Sequence, residues 1–282
     1  MEGNNTENNT MQNNPLSIGF RASLLVIYTV TLFGGTLGIV FMVRFLRRSK
    51  NKLSITTTSI INLVMSHGLF LLTVPFRIDY YAANTWRYTF KFCKLVSIAI
   101  HTHLYISFFF YVAILAVRLL PCLPTRDFYR PLTAFVASAA VWIVFTITIF
   151  PPLWLHYGKQ GNYSKSQCFQ FHVEINGERV KWLNISIATM VILISAVIIT
   201  IQMLFLARVV RSNPGNLFSQ QEFRAQLKNL TFLTFLVVCF LPYHAFRIYY
   251  VLHVDGKNSG HNEIYLSLTT LCCLDLLTFL AI

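Results

Sequence analysis

Two ionisable side chains, His67 and Asp275, lie within long hydrophobic runs of this sequence. The chain has 282 residues, and only 12% of them are charged. An ionisable side chain in an apolar helix is unfavourable unless it is paired or hydrated, so both residues mark a functional site. They lack the nucleophile or the metal cluster that an enzyme would need. We therefore predict no enzyme activity and no cofactor.

Six cysteines are the other residues with reactive side chains. No metal-ligand spacing connects them, so the sequence predicts no metal site. Cys239, Cys272 and Cys273 lie in apolar runs and are interpreted as small packing residues.

Basic and aromatic residues recur near the ends of several apolar runs. His244 and Arg247 are three residues apart, and His101 and Tyr105 are four apart, so each pair shares one face of a helix. The candidate ligand-binding residues are Arg77, His101, Tyr105, His244, Arg247 and Tyr265.

The two arginines of this set point to the charge of the ligand. Because an arginine fork suits a carboxylate or a phosphate, we expect an anionic or zwitterionic ligand, such as a nucleotide or an acidic lipid. The alternative is that each arginine has a partner within the protein, Asp79 for Arg77 and Glu263 or Asp255 for Arg247.

Seven long apolar segments must position these residues. Each has about 20 apolar residues, enough to cross a bilayer core of roughly 30 Å. Backbone groups in lipid must be hydrogen-bonded within their own segment, so we predict α-helices. They span residues 22–46, 53–80, 93–120, 132–157, 182–207, 227–252 and 263–282. The fold class is an all-α membrane protein, with a seven-transmembrane helix bundle over residues 21–282.

The composition excludes several soluble classes. The chain is 55% hydrophobic with a mean hydropathy of +0.56, which a disordered or collagenous chain would not show. A net charge of +13 would suggest a nucleic-acid partner in a soluble protein. Here the basic residues belong to loops between membrane segments, so we expect membrane lipids and no nucleic acid as partners.

The N-terminus is predicted to lie outside the cell. Residues 1–20 form a polar segment without the apolar core of a secretory signal, and they contain no lysine or arginine. The loop after the first helix has five basic residues between Arg44 and Lys52, which marks the cytoplasmic side.

Sequons support this orientation. Asn4, Asn8 and Asn162 fall on the predicted outer side and are candidate glycosylation sites. Asn184 and Asn229 also match the sequon pattern, but they lie in or beside predicted helices, and we do not expect them to carry glycans.

Motifs spread along the whole chain resemble those of the rhodopsin-like (class A) G protein-coupled receptors. Arg118 lies 25 residues after Cys93, the family spacing for the arginine at the inner end of the third helix. Trp142 stands in the middle of the fourth segment. The most specific match is residues 235–247, which contain the Cys-Phe-x-Pro-x-His-x-x-Arg pattern of the purinergic-like branch. Residues 225–230 and 246–250 resemble one orphan member of that branch.

The resemblance implies a plasma-membrane receptor that transmits binding of an extracellular ligand to an intracellular heterotrimeric G protein. It implies a disulfide bond between Cys93 and Cys168 and a G protein contact at Arg118. It also implies that Pro242 kinks the sixth helix and that Phe240 is part of the activation switch. The alternative for the last two residues is simple packing.

The sequence departs from the family at His67, where most members have a sodium-binding aspartate. The resemblance places His67 opposite Asp275, so we expect the two side chains to pair directly and to act in the activation switch. The alternative is a neutral histidine hydrogen-bonded to Ser107 or Ser66.

A second departure concerns the arginine that contacts the G protein. The family's Asp-Arg-Tyr triplet reads Val117-Arg118-Leu119, so the acid that restrains the arginine is missing. We expect raised basal activity, or an inactive-state restraint elsewhere; the alternative is that Arg118 only reaches to the membrane interface. The sequence ends at Ile282, so we do not expect the family's eighth helix.

Two other functions stay open at this stage. A transporter or channel would favour internal repeats, broken helices and several mid-membrane acids, whereas this sequence shows no repeat and one such acid. A receptor fold that does not signal is suggested by the altered motifs.

Overall fold

The computed structural model describes residues 18–48, 55–119, 131–156, 166–169, 177–212, 221–253 and 258–281. Within these ranges the elements are helices and short turns, and no strand occurs. The all-α prediction is therefore confirmed. The predicted glycosylation sites Asn4, Asn8 and Asn162 lie outside the described residues, as does Asp255.

Seven helices occupy the described ranges, one for each predicted segment. The first five are α1 (Ile18–Arg48), α2 (Ile55–Leu71, continued by Val74–Ala83), α3 (Phe90–Leu119), α4 (Pro131–His156) and α5 (Glu178–Ser212). The sixth helix, α6, consists of Gln221–Phe235, the π-helical turn Leu236–Phe240 and Leu241–Leu252. The seventh, α7, consists of Ser259–Leu268, the 3₁₀ segment Thr269–Leu274 and Asp275–Ala281.

Proline marks two of the interruptions. Pro75 follows the break in α2, and Pro242 follows the π turn in α6. A proline lacks the N–H that would continue the helical ladder, and its ring disturbs the preceding turn. The sixth helix has a π turn that ends two residues before Pro242, and the predicted kink stays a prediction.

The outer surface of the bundle is apolar. Phe33, Phe135 and Leu204 expose 67%, 68% and 66% of their surface, as lipid-facing side chains do. Five helical spans among the described residues are long and apolar enough to cross a membrane, and α4 contains a shorter apolar stretch. The 3₁₀ segment divides α7 into shorter pieces.

Close packing against α1 fixes the position of α7. A Cβ atom at Gly38 would lie 3.0 Å from the Cβ atom of Leu276, so a larger residue there would require α7 to shift by a few tenths of an ångström. The Thr31 and Thr270 hydroxyl groups are hydrogen-bonded at 3.1 Å across the same interface. These contacts hold the 3₁₀ segment and Asp275 inside the bundle.

Candidate ligand-binding and signalling site

A disulfide bond fixes one end of α3. Cys93 is bonded to Cys168 with a Cα–Cα distance of 5.9 Å, which confirms the predicted pair. The next residue, Phe169, adopts a φ of 68° and packs its ring 5.6 Å from that of Trp86. We call the half of the bundle that contains this disulfide the outer half, and the half that contains Arg118 the inner half.

Arg77 is buried in the outer half, with 1% of its surface exposed. Its Nη1 atom donates a hydrogen bond to the Tyr28 hydroxyl at 3.1 Å, and its guanidinium lies 4.2 Å from the centre of the Phe169 ring. The Glu263 carboxylate is 3.9 Å from Nη1. The acidic partner of Arg77 is therefore Glu263, and not the Asp79 that the sequence suggested.

Arg247 joins three helices of the outer half. Its Nε and Nη2 atoms donate to the Asn184 side-chain oxygen on α5, at 3.1 and 2.9 Å. Its Nη1 atom donates to the Asn262 side-chain oxygen on α7 at 3.0 Å. Two amide oxygens thus set the orientation of the guanidinium fork.

Other predicted ligand-binding residues lie around Arg247. The Nδ1 atom of His101 on α3 lies 2.9 Å from the Ser97 backbone oxygen. The rings of Tyr105 and His244 are 6.2 Å apart, and His244 is 1% exposed. The Tyr265 ring on α7 stacks on the Phe246 ring, with the two ring centres 4.6 Å apart. Helices α3, α6 and α7 therefore converge on one basic and aromatic region.

His67 and Asp275 face each other at the middle of the bundle. The distance from His67 Nε2 to Asp275 Oδ1 is 3.4 Å, and both side chains are at most 1% exposed. The other carboxylate oxygen accepts a hydrogen bond from the Tyr111 hydroxyl. The hydroxyl of Ser107, the alternative partner of the histidine, has no hydrogen bond. The two side chains are thus within ion-pair distance, although Nε2 and Oδ1 form no hydrogen bond with each other.

The second ring nitrogen of His67 belongs to another cluster. Its Nδ1 atom lies 2.9 Å from His103 Nε2, which in turn lies 3.9 Å from Cys272 Sγ and 3.5 Å from Cys273 Sγ. One potential metal-ligand atom of each residue lies within 4.8 Å of the other three. The sequence predicted no metal site, whereas the fold brings together four residues that are able to bind one.

The predicted switch residue Phe240 is fully buried in the π turn of α6. Its ring lies 5.8 Å from that of Phe108 and 5.7 Å from that of Tyr111. Since Tyr111 also binds Asp275, the π turn of α6 is connected through two side chains to α7.

In the inner half, Arg118 contacts α6. Its Nη1 atom donates a hydrogen bond to the Asn229 side-chain oxygen at 3.2 Å, and its guanidinium lies 5.1 Å from the centre of the Phe232 ring. Asn229 is 2% exposed. The arginine is therefore directed into the bundle and not to the membrane interface.

The arrangement of seven helices, the outer disulfide and an inner arginine agrees with a comparison of sequences. Residues 38–275 match the family described as 7 transmembrane receptor (rhodopsin family). The chain belongs to this receptor family. Its members are receptors of the plasma membrane that couple extracellular ligands to heterotrimeric G proteins, which decides against the transporter alternative.

Three relatives illustrate the position of this receptor within the family. The human probable G-protein coupled receptor 141 is 40% identical over 96% of this chain and 92% of its own length. The mouse cysteinyl leukotriene receptor 2 is 25% identical over 86% of this chain and 81% of its own. The rat 2-oxoglutarate receptor 1 is 26% identical over 79% of this chain and 66% of its own. The resemblance to an orphan member of the purinergic-like branch is therefore confirmed.

Sequence reasoning missed several residues that organise the receptor's site. Asn184 and Asn229 attracted notice only as unlikely glycosylation sites, yet each binds one of the two key arginines. Their position inside apolar helices was the available signal, because an amide there needs a hydrogen-bond partner. Tyr111 and His103 carried the same signal, and neither was selected.

Proposed function

We propose that this protein is a receptor for a small extracellular ligand with a carboxylate or phosphate group, which binds to Arg247 in the outer half. The guanidinium carries a permanent charge and a planar set of donors, which matches these anionic groups. Asn184 and Asn262 already orient the Arg247 guanidinium through hydrogen bonds. Ligand binding therefore loses little free energy to ordering this side chain.

The surrounding residues support an anionic ligand. His244 lies one helical turn before Arg247, and its Nε2 atom has no hydrogen-bond partner. The Tyr105 ring lies 6.2 Å from the His244 ring and adds a hydroxyl group. The names of two relatives refer to anionic molecules, since 2-oxoglutarate is a dicarboxylate and cysteinyl leukotrienes carry carboxylates. A ligand of this class is therefore the first to test.

Arg77 has a supporting role in this proposal. Its guanidinium already binds Tyr28, Glu263 and the Phe169 ring, and its surface is almost wholly buried. We assign it to holding Phe169 over the outer end of the bundle, with ligand contact made by Arg247.

Signalling follows from a shift between two populations. In the described arrangement, the bond from Arg118 to Asn229 holds α3 and α6 together at the inner side. A ligand that prefers the open arrangement shifts the equilibrium toward separation of these helices and frees Arg118 for the G protein. A neutral amide restrains the arginine less strongly than a carboxylate would, so raised basal activity accompanies this design.

A cell assay of G protein activation tests the proposal. Cells expressing the full chain are exposed to 2-oxoglutarate, N-arachidonyl glycine, a leukotriene and nucleotides, each beside a neutral amide or dephosphorylated analogue. We expect an anionic compound to activate and its neutral analogue to be inactive. Arg247→Gln should lower the potency about tenfold or more, because it removes a charge-assisted bidentate contact.

A matched arginine variant controls for changes in overall charge. Arg87 is exposed on the loop before α3, so Arg87→Gln should respond like the wild type. Equal potency of Arg247→Gln and wild type would refute the assigned ligand contact. Arg118→Ala should abolish the response; signalling that persists in Arg118→Ala at normal surface levels would contradict the inner half of the proposal.

A further inference from the structure

A cluster of four side chains lies at the centre of the bundle, between the ligand region and the inner half. It consists of His67 on α2, His103 on α3, and the neighbouring Cys272 and Cys273 on α7. All four have at most 2% of their surface exposed. Nothing in the receptor's proposed ligand binding or signalling requires two histidines and two thiols at one point.

The distances between these atoms fit one tetrahedral metal ion. Zinc binds histidine nitrogen at about 2.0 Å and cysteine sulfur at about 2.3 Å, so neighbouring ligand atoms around it lie roughly 3.3 to 3.8 Å apart. The distances are 2.9 Å between the two histidine nitrogens and 3.5 and 3.9 Å from His103 Nε2 to the two sulfurs. All four ligand atoms lie within 4.8 Å of one another, which is about 1 Å wider than the closed tetrahedron at most.

The opposite side of the His67 ring supports the same assignment. A histidine that binds zinc through one nitrogen commonly donates its other N–H to a carboxylate. His67 presents Nδ1 to the cluster and Nε2 to Asp275, whose Oδ1 is 3.4 Å away. Neither Nε2 nor Oδ1 has a hydrogen-bond partner, and Tyr111 holds the carboxylate by its other oxygen.

The surroundings favour zinc over a hard cation. Two thiolates and two neutral imidazoles give a complex with Zn²⁺ that has no net charge, which suits a buried and largely apolar position. The Phe70 ring stacks on His103 at 4.4 Å and covers the site on one side. Sodium, calcium or magnesium would need oxygen ligands, and the cluster offers none.

We propose that His67, His103, Cys272 and Cys273 form a structural zinc site that ties together α2, α3 and α7. On binding, the two thiols release their protons and Zn²⁺ forms four bonds, without any change of oxidation state. The bound ion restrains α7 relative to α3 directly beside Asp275. This site needs neither the anionic ligand nor a G protein, so it stands or falls separately from the proposed function.

Metal analysis of the purified full-length receptor tests the site. The receptor is purified in detergent without strong chelators, and its zinc content is measured by inductively coupled plasma mass spectrometry. We expect about one zinc ion per receptor, as in a closed four-ligand site. Cys272→Ser/Cys273→Ser should lose the ion, whereas Cys239→Ser should keep it, since Cys239 is a buried thiol of the same bundle outside the cluster.

The carboxylate that faces His67 Nε2 gives a graded variant. Asp275→Asn keeps all four ligands but weakens the acceptor for the histidine N–H, and zinc affinity should fall about 10- to 100-fold. A purely structural aspartate would leave the affinity unchanged while lowering stability. Zinc affinity is measured by competition with a fluorescent chelator, so it is read separately from the melting temperature.

Cobalt substitution keeps the test decisive if the cysteine variant does not fold. Co²⁺ added to the metal-depleted wild-type receptor should give the visible bands of a tetrahedral ion and the ultraviolet charge-transfer band of thiolate ligation. A wild-type receptor that binds neither zinc nor cobalt would overturn the proposal. So would zinc retained in Cys272→Ser/Cys273→Ser, or an equal loss of zinc in Cys239→Ser.

Discussion

Arg118 and Asn229 are joined by a hydrogen bond of 3.2 Å between the inner parts of α3 and α6. The arginine has no acid beside it in the sequence, because Val117 precedes it. Asn229 is buried and lies on α6, the helix that moves away from Arg118 in our proposed activation. The restraint that the sequence predicted to lie elsewhere is therefore, in our proposal, an amide on the neighbouring helix.

Removing this amide should raise basal activity. Asn229→Ala deletes the acceptor of a charged hydrogen bond, worth about 1.5 to 3 kcal/mol, so the active population should rise about tenfold or more where it is small. G protein activation without ligand, at matched surface expression, measures the change. Thr234→Ala is the control, since its exposed hydroxyl binds only the backbone of its own helix. Equal basal activity in both variants would show that Asn229 is no restraint.

Restoring the missing acid should have the opposite effect. Val117→Asp places a carboxylate next to Arg118, and charge pairing strengthens the inactive arrangement. Basal activity should fall below that of the wild type, and the same change added to Asn229→Ala should reverse most of its increase. Because both side chains act on Arg118, the double variant should deviate from the sum of the two single effects. Unchanged basal activity in Val117→Asp would count against the restraint model.

Tyr111 should contribute to the stability of the bundle through Asp275. Tyr111→Phe removes the donor to a buried carboxylate, and we expect a loss of about 1.5 to 3 kcal/mol. The thermal midpoint of unfolding in detergent provides the measurement. Tyr243→Phe deletes a hydroxyl from another buried ring on α6 and should have the smaller effect. Similar midpoints for the two variants would mean that the bond to Asp275 adds little.

The sequence predicted the features that depend on local pattern. Apolar runs long enough to cross a bilayer located the helices, and the family motifs located Cys93, Cys168 and Arg118. The facing positions of His67 and Asp275 also followed from the family resemblance. The helices could be predicted because helix formation in lipid depends on each segment alone.

The contacts between helices could not be predicted in the same way. His67 and His103 are 36 positions apart, and His103 and Cys272 are 169 apart, so no ligand spacing appears in the sequence. Which side chains meet depends on how the helices rotate and pack, as with Gly38 against Leu276. For the same reason, the sequence did not reveal Asn229 as the partner of Arg118 or Asn184 as the partner of Arg247.

The outer disulfide should be essential for a stable receptor. Cys93 and Cys168 are 75 positions apart, and removing a bond that closes a loop of this length costs about 2 to 5 kcal/mol. Cys93→Ser/Cys168→Ser should therefore show strongly reduced surface expression and a lower thermal midpoint. Cys239→Ser, which removes a thiol that forms no disulfide, should remain near the wild type. A normal surface level in the double variant would contradict this prediction.

Asn184 should remain unglycosylated although it lies in a sequon. It is half-buried on α5, and its side-chain oxygen accepts two hydrogen bonds from Arg247. Asn184→Gln should leave the shift in gel mobility on deglycosylation unchanged, whereas the combined replacement of Asn4, Asn8 and Asn162 should abolish it. A glycan found on Asn184 by mass spectrometry would place this residue at an exposed surface. Arg247 would then lose the partner that orients it, and its assigned ligand contact would lose its structural basis.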